Sequence, residues 1–518
     1  MPVKPDKTLD ISRKQLEDLQ KRIGKRKLLE SDYELLQGLA ETVQCLSQAL
    51  AEKEASIGRL VKYLLGAPTE TARNVLGKQP EKPAIEGDEK EPGKRKGHGR
   101  TPASAYTGGS REVIDHPGLK GGDVCPGCQK GKVYELALPS VCVRITGEAP
   151  LKSTVYERVR LRCNLCGEIQ APELPPEAGD KKYDDSAAAM VALLKYGCGL
   201  PLNRLEKLQG HLGQPVPAST SWDILDAAAI TLAPVHDSLV NDAAQGEILY
   251  NDDTQMKILS FLKEQDQERN GLFTTGVVSK HGDHHIALFM TGNQHAGENL
   301  TRVLKRRRTG LAPPVQMCDA ASRNASKEFE TILVNCLAHA RRQFVELVDR
   351  FPDECSYMIE QLGMVYHHDA ISRSQKMSPE ERLAYHREHS ARVMDEMEKW
   401  CRRQLDEKLV EPNSGLGKAV KYMLNHWSRL TGFLHVAGAP LDNNICERAL
   451  KHAILHRKNA LFYKTQHGAR VGDLFMSLIH TCQLQGINPL NYLTWLLKHA
   501  GNLKGSPKDY LPWRYTPG

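Results

Sequence analysis

The sequence predicts a multidomain protein of mixed α+β and α/β class. Three observations predict it. Apolar residues recur in steps of three and four between residues 29 and 64, two Cys-x-x-Cys pairs follow among short alternating stretches, and beyond residue 245 strand-like and helix-like patterns alternate. The chain has 518 residues, enough for roughly three or four folded units.

Composition alone excludes little. The 70 Lys and Arg residues against 63 Asp and Glu residues give a net charge of +7, a weak signal for a chain of this length. Thirteen unevenly spaced cysteines and a charged start without an apolar stretch predict a reducing, cytoplasmic setting without structural disulfides. No apolar run approaches the roughly 20 residues that a bilayer requires, so we expect no membrane partner.

Residues 1–66 are predicted to form a coiled-coil oligomerisation helix. A parallel coiled coil would make the protein a homo-oligomer, at least a dimer, whereas an amphipathic helix packed on its own chain remains the alternative. One seam of the heptad consists of Leu36, Val43, Leu50, Ile57 and Leu64.

Residues 67–118 are predicted to be a flexible basic linker because Pro, Gly and charged residues replace the apolar pattern. Residues 92–111 contain no acid, and their charge suits DNA phosphates. A merely solvated tether explains the composition nearly as well. The DNA-binding candidates here are Lys94, Arg95, Lys96 and Arg100.

Residues 119–172 are predicted to form a zinc ribbon. Cys125 and Cys128 make the first Cys-x-x-Cys pair, and Cys163 and Cys166 make the second after 34 intervening residues. Four thiolates at this spacing suit tetrahedral structural Zn²⁺. Alternation predicts short strands at Val141–Ile145 and Val155–Arg162. A redox role is the competing interpretation.

Residues 173–243 are predicted to be a helical segment. Helices are expected at Ser186–Tyr196, Leu202–Leu212 and Ser219–Leu232. The pair around Gly213 is similar to a helix-turn-helix, a weak indication of DNA binding.

Residues 244–344 are predicted to form the first part of a mixed-sheet core. Three strands precede alternating helices and strands, which matches the RNase H-like plan. The expected elements are strands Glu247–Leu259, Leu272–Ser279 and His284–Met290, helix His295–Arg306, strands Pro314–Cys318 and Thr331–Cys336, and helix Ala338–Val348.

Acidic residues occupy the positions that this plan brings together. Asp252 and Asp253 lie in the middle of the first strand, and Asp319 follows the fourth. The residue pattern does not choose between Asp252 and Asp253, which face opposite sides. Glu447, at the start of a predicted helix, is the best third carboxylate, although an ion pair with Lys451 explains it equally well. Converging carboxylates would hold two metal ions, whereas a structural Asp is the disfavoured alternative.

Two further segments are rich in basic residues. Residues 448–470 contain no acid and supply the DNA-binding candidates Arg448, Lys451, Arg457 and Lys458. Arg302 and residues 305–308 form a second basic segment, for which DNA contact and a solvated helix face are equally good interpretations.

Several motifs together resemble the DDE transposases of bacterial insertion sequences of the IS-sixty-six type. The resemblance covers nearly the whole chain in order. The motifs are the two cysteine pairs, Lys195-Tyr196 with Gly199-Leu200-Pro201-Leu202-Asn203-Arg204, Asp252-Asp253-Thr254, Cys336-x-x-His339-x-Arg341-Arg342-x-Phe344, Asn443-Asn444-x-x-Glu447-Arg448 and Arg457-Lys458-Asn459-x-Leu461-Phe462. Two departures are Asp319-Ala320-Ala321-Ser322 in place of a D-G-Y-A-like stretch and the lack of Pro after Thr254.

The resemblance implies an enzyme that cleaves the 3′ ends of an insertion sequence and transfers the strands to target DNA. It selects Asp252, Asp319 and Glu447 as catalytic ligands of two Mg²⁺ ions, for which Mn²⁺ can substitute. It implies an RNase H-like catalytic core with a helical insertion at 345–435, a Glu-bearing part at 436–500 and a C-terminal tail at 501–518. His339 is expected to be a packed helix residue, and a position near the catalytic site is the alternative.

The implied partners are double-stranded DNA, as terminal repeats and target, and companion proteins of the same element. The implied location is the bacterial cytoplasm, at the nucleoid. Two alternatives remain at this point: a sequence-specific zinc-dependent DNA-binding regulator without catalysis, and an RNase H-like nuclease.

Overall fold

The computed structural model describes most of the chain beyond residue 110. The described residues are 111–262 and 272–516, except 135, 137–140, 163, 165 and 167–168, together with 103–106 and a few residues between 19 and 36. The predicted zipper lies almost wholly outside them, and so do Lys94, Arg95, Lys96 and Arg100.

A five-stranded mixed sheet forms the centre of the fold. Its strands are β3 (Ile248–Gln255), β4 (Phe273–His281), β5 (His284–Gly292), β6 (Val315–Cys318) and β7 (Ile332–Asn335), and the hairpin β1 (Leu161–Arg162) and β2 (Ile169–Gln170) precedes it. The order across the sheet is β5-β4-β3-β6-β7. Strands β3, β4 and β5 are antiparallel neighbours, whereas β6 and β7 run parallel to β3. The predicted succession of strands is therefore confirmed.

Helices precede, interrupt and follow the sheet. Before it come α1 (Asp185–Ala192), α2 (Leu202–His211) and α3 (Ala218–Ala243); between its strands lie α4 (Leu259–Leu262) and α5 (Ala296–Leu304). After it come α6 (Leu337–Val345), α7 (Pro352–Ser374), α8 (Pro379–His389), α9 (Ala391–Asp406), α10 (Gly415–Asn425), α11 (Trp427–Leu430), α12 (Asn444–Ala460), α13 (Gln466–Leu484) and α14 (Pro489–Lys498). Within the described residues, no helix has both the length and the apolar character that a membrane crossing requires.

The chain divides into two compact units. One contains residues 340–374 and 389–422, in which α7 packs against α9 and the rings of Tyr357 and Trp400 lie 5.2 Å apart. The other contains the sheet, with residues 82–339, 375–388 and 423–518. Its core lies between the sheet and apolar residues of α3, α13 and α14, such as Leu232, Phe475 and Leu493.

Several predicted elements differ from the observed ones. Helix α3 continues to Ala243, well beyond the predicted end at Leu232. The predicted strand Val141–Ile145 is wrong, because these residues are irregular and exposed. Of the predicted strand Val155–Arg162, only Leu161–Arg162 pairs, with Ile169–Gln170. Alternation predicts a strand only where a partner strand is available to complete its hydrogen bonds.

Helix α13 covers the edge strand β5 with polar side chains one turn apart. Thr481 accepts a hydrogen bond from the backbone N–H of Ala287, and Ser477 accepts one from Phe289. The carboxylate of Asp473 accepts from both the N–H and the hydroxyl of Thr291, at 2.7 and 2.6 Å. These contacts satisfy backbone donors that an open sheet edge would leave exposed.

Asp473 predicts a measurable dependence of stability on pH. Burial raises its pKa to about 7, although the Thr291 hydrogen bonds and then Arg302 and Arg470 act to lower it. The ordinary value is 3.8, so the folded state holds a proton that the unfolded state loses, and this group's contribution to stability falls as pH rises from about 4 to 7. Asp473→Asn lacks this titration.

We therefore expect the melting temperature of Asp473→Asn, relative to wild type, to be higher at pH 8 than at pH 5. Thermal melts of the full chain at the two pH values measure this difference. Asp283→Asn, in the exposed turn between β4 and β5, is the matched control. An offset for Asp473→Asn that is the same at both pH values would show that its carboxyl group does not titrate in this window.

Candidate acidic site on the sheet

Three carboxylates from separate elements lie near one another beside β3, although their oxygen atoms do not all come within 4.8 Å of one another. Asp252 lies on β3 in register with Gly276, Asp319 directly follows β6, and Glu447 lies in the first turn of α12. Burial is the main reason that the pKa of Asp252 rises to about 7, and the charges of Asp319, Asp253 and Glu447 raise it further. Residues far apart in sequence thus share one electrostatic environment.

Helix α12 reaches the sheet through a glycine opposite Asp252. A Cβ atom on Gly276 would lie 3.0 Å from the Leu450 side chain and 3.4 Å from the Cys446 Sγ. At the start of the helix, the Asn443 Nδ2 donates to the Asn251 carbonyl oxygen at 3.1 Å. This close packing brings Glu447 to the strand that carries Asp252.

The amide of Asn324 connects the two aspartates. This fully buried residue ends a 3₁₀ turn, Ser322–Asn324, and its Nδ2 donates to Asp319 Oδ1 at 2.6 Å and lies 3.4 Å from Asp252 Oδ1. The backbone carbonyl oxygen of Asn324 accepts hydrogen bonds from the side-chain amides of Asn251 and Gln316, each at 2.7 Å. Sequence reasoning missed Asn324, because only the folded turn places its amide between the two acids.

Asp253 has a different set of contacts. Its buried carboxylate accepts from the Thr275 hydroxyl at 2.6 Å and from the Ala296 N–H at 2.9 Å, and lies 3.3 Å from His295 Nδ1. Ala296 begins α5, so Asp253 provides an acceptor at the positive end of that helix. This role accounts for a carboxylate in mid-strand without any catalytic function.

The donor set of the cluster fits hard divalent cations. Asp252, Asp319 and Glu447 offer only carboxylate oxygens, which Mg²⁺ and Mn²⁺ prefer. The Asn324 Oδ1 is buried and has no hydrogen-bond partner among the described residues, so the cluster also contains an unsatisfied oxygen. A cation would offset the mutual repulsion that contributes to the raised pKa of Asp252.

His339 lies beside the third carboxylate. Its Nδ1 is 3.7 Å from the Glu447 Oε1, and its side chain is 25% exposed. This contact favours the alternative interpretation of His339, a position near the site, over that of a merely packed helix histidine. Cys336, three residues earlier, is fully buried and lies within the same group of potential ligands.

The basic candidates on α12 have two environments. Arg448, Lys451 and Lys458 are exposed and follow one another at helical spacing, so they form a single stripe on the helix. Arg457 is partly buried, and its guanidinium donates to the Thr254 hydroxyl at 3.2 Å and to the Gln255 carbonyl oxygen. The structure thus gives Arg457 a role in holding α12 to the end of β3.

The second basic segment divides similarly. Arg306 pairs with Asp237 at 2.6 Å, and Arg307 donates to the carbonyl oxygens of Ala244 and Gly246. These two side chains hold the end of α5 to neighbouring backbone. Other basic residues line a cleft of about 500 Å³ along α5, namely Arg302, Lys305, Arg323 and Lys327.

The first cysteine pair forms a tight turn. The N–H of Gln129 donates to the Cys125 carbonyl oxygen at 2.8 Å, and the N–H of Gly131 lies 3.4 Å from the Cys128 Sγ. Hydrogen bonds from the N–H groups of Gly131 and Lys130 lower the pKa of the Cys128 thiol. Cys163 lies outside the described residues, whereas Cys166 is exposed. Strands β1 and β2 flank the second pair.

The fold and this site define the class: a mixed α/β protein whose central sheet carries a partly buried cluster of carboxylates next to a basic helix. Residues 181–471 match the family described as the IS66 family of transposases. This stretch exceeds half of the chain and contains all three carboxylates. The chain belongs to the IS66 transposase family.

The chain is also similar to two uncharacterized proteins of Sinorhizobium fredii. It is 25% identical to y4jD in an alignment of 524 positions, gaps included, which covers 92% of this chain and 97% of that protein. It is 26% identical to y4hP in an alignment of 395 positions, gaps included, which covers 71% of this chain and 69% of that protein. The similarity to y4jD includes the region of the two cysteine pairs, which lies outside the family match.

Proposed function

We propose that this transposase is a DDE enzyme that cleaves DNA at the 3′ ends of an insertion sequence and joins the freed ends to target DNA. The convergence of Asp252, Asp319 and Glu447 is the observation that carries the proposal. The strand order and directions support an RNase H-like catalytic core, because that plan has three antiparallel strands followed by two parallel ones.

In this mechanism the three carboxylates are the catalytic residues. Asp252, Asp319 and Glu447 would hold two Mg²⁺ or Mn²⁺ ions, which when bound would activate the attacking oxygen and neutralise charge on the phosphate. Water attacks the phosphorus at the element's end, and a new P–O bond forms as the P–O3′ bond breaks, which leaves a 5′-phosphate on one side and a 3′-hydroxyl group on the element. That hydroxyl group then attacks a target phosphodiester, forming one bond as the target strand breaks.

Residues around the carboxylates keep them in position and bind the DNA backbone. Asn324 orients Asp252 and Asp319 through its amide. We assign the exposed stripe of Arg448, Lys451 and Lys458 to backbone phosphates near the reacting one, because it starts next to Glu447. The four cysteines are proposed to hold a structural Zn²⁺ in an end-binding ribbon, and the N-terminal zipper is proposed to pair two protomers.

One assay tests the proposal as a whole. Supercoiled donor DNA carrying the terminal repeats is incubated with the protein, target DNA and Mg²⁺, and cleaved and joined products are separated on a gel. We expect both products. Cleavage without joining would favour an RNase H-like nuclease, whereas repeat-specific binding without any chemistry would favour a regulator.

The basic stripe predicts the salt dependence of DNA binding. Replacing Lys451 and Lys458 together by Ala should reduce the slope of log affinity against log salt by about two, since each lost phosphate contact removes about one. Fluorescence anisotropy of a labelled duplex at several salt concentrations measures the slope.

The matched control is the double variant Arg392→Ala and Arg402→Ala, which also removes two cations. Both arginines are exposed on α9, where they pair with Glu396 and Glu398 one turn away. This control should keep the wild-type slope. If the two double variants change the slope equally, the effect comes from net charge and the stripe is not a DNA contact.

A further inference from the structure

Three potential metal ligands of different chemistry meet beside the acidic cluster. Cys336 directly follows β7, His339 lies in the first turn of α6, and Glu447 lies in the first turn of α12. One ligand atom from each, a sulfur, a nitrogen and an oxygen, lies within 4.8 Å of the other two. No such group of three forms elsewhere among the described His, Cys, Asp and Glu residues.

The nitrogen and the oxygen of this group are spaced like two ligands of one metal ion, and the sulfur lies within 4.8 Å of both. The 3.7 Å between His339 Nδ1 and Glu447 Oε1 is too long for a hydrogen bond. In a tetrahedral site with bonds of about 2.0–2.3 Å, two ligand atoms lie roughly 3.3–3.7 Å apart. The His339 Nδ1 is also buried and has no hydrogen-bond partner among the described residues.

The donor types select the cation. Thiolate and imidazole favour Zn²⁺ and similar borderline-soft ions, whereas Mg²⁺ takes oxygen ligands. The Cys336 Sγ already accepts a hydrogen bond from the Asn443 N–H at 3.2 Å, a contact that stabilises negative charge on sulfur. Binding through the thiolate replaces the thiol proton, which is released to solvent.

We propose that Cys336, His339 and Glu447 form a binding site for a zinc-class divalent cation, separate from the cysteine pairs of the predicted ribbon. Because Glu447 belongs to both sets of ligands, a cation bound here draws that carboxylate away from Asp252 and Asp319. Zn²⁺ therefore inhibits the Mg²⁺-dependent reaction. The inhibition rests on the proposed function, whereas the binding of Zn²⁺ does not.

The binding test counts metal without using activity. Full-length wild type, Cys336→Ser and His339→Ala are dialysed against the same Zn²⁺ solution, and bound zinc is measured by mass spectrometry. Each variant should hold about one ion fewer than wild type, because a site with three protein ligands loses most of its affinity when one of them is removed. His339 is partly exposed, so its variant provides the answer even if replacing the buried Cys336 impairs folding.

Cys401→Ser is the control for loss of a buried thiol. Cys401 is fully buried on α9 and belongs to no group of three potential ligands in the described part of the chain. The Cys401→Ser variant should bind as much zinc as wild type. The proposal is overturned if folded Cys336→Ser and His339→Ala both retain the wild-type zinc content. The predicted ribbon is present in every sample, so any zinc that it binds cancels when the zinc content of a variant is compared with that of wild type.

Inhibition is tested on the same proteins with Mg²⁺ and donor DNA. Adding Zn²⁺ should reduce the rate of cleavage by wild type. For each protein, the rate without Zn²⁺ is divided by the rate with Zn²⁺, and this factor should be at least about tenfold smaller for His339→Ala than for wild type. Equal sensitivity would overturn the inhibitory role. A wild type that binds the extra ion but performs no DNA chemistry would contradict the proposed function and leave the cation site supported.

Discussion

Asp252→Asn, Asp319→Asn and Glu447→Gln are each expected to reduce DNA cleavage and strand transfer about 100- to 1,000-fold, the scale of losing a group that stabilises charge in the transition state. Each change keeps the shape of the side chain and removes one anionic oxygen ligand. The measurement is the yield of cleaved and joined products from donor DNA with Mg²⁺.

Folding does not explain such a loss. The three side chains repel one another in a partly desolvated site, and this repulsion contributes to the raised pKa of Asp252. Removing one charge therefore relieves repulsion, and we expect melting temperatures in Mg²⁺-free buffer to equal or exceed that of wild type. Anisotropy with terminal-repeat DNA should show that binding persists.

The neighbouring Asp253 offers a matched control in the same strand. Asp253→Ala removes the acceptor for the Thr275 hydroxyl and the Ala296 N–H, leaving buried donors unsatisfied at a cost of about 1–3 kcal/mol. We expect a lower melting temperature, with cleavage retained at low temperature. The opposite pattern, in which Asp253→Ala abolishes cleavage and Asp252→Asn does not, would show that the first catalytic residue is misassigned.

The sequence predicted the sheet because its information is local. The period of two identifies β3, β4 and β5, and the shift to alternating helices and strands identifies β6 and β7. An acid in mid-strand and an acid just after a parallel neighbour must then lie close together, whatever the details of packing. That topology brings Asp319 to the strand that carries Asp252 and Asp253, whereas the choice of Asp252 between the two rests on the family resemblance.

Contacts made by folding were harder to predict. Nothing in the sequence separates Arg306 and Arg307, whose guanidinium groups bind an acid and backbone carbonyls, from Arg302 and Lys305, which line a cleft. The polar residues with which α13 covers β5 look from sequence like ordinary helix substituents. Their roles depend on which backbone atoms the tertiary structure brings within reach.

Asn324 is the most consequential of these residues. Its Nδ2 donates to Asp319 at 2.6 Å, and its backbone carbonyl oxygen is held by Asn251 and Gln316. Asn324→Ala removes the amide and leaves the backbone contacts in place. We expect cleavage to fall about 10–100-fold, the usual cost of losing a group that orients metal ligands.

The dependence on Mg²⁺ concentration distinguishes a positioning role from a general loss of stability. If Asn324 orients the two aspartates, its removal should raise the Mg²⁺ concentration needed for half-maximal cleavage, and part of the lost rate should return at high Mg²⁺. Asn299→Ala is the matched control, because this buried asparagine donates to Thr275, a partner of Asp253, and does not contact the acidic cluster. Its melting temperature should fall while its Mg²⁺ requirement stays that of wild type. A shift of that requirement in both variants, or in neither, would mean that the Asn324 amide does not position the carboxylates.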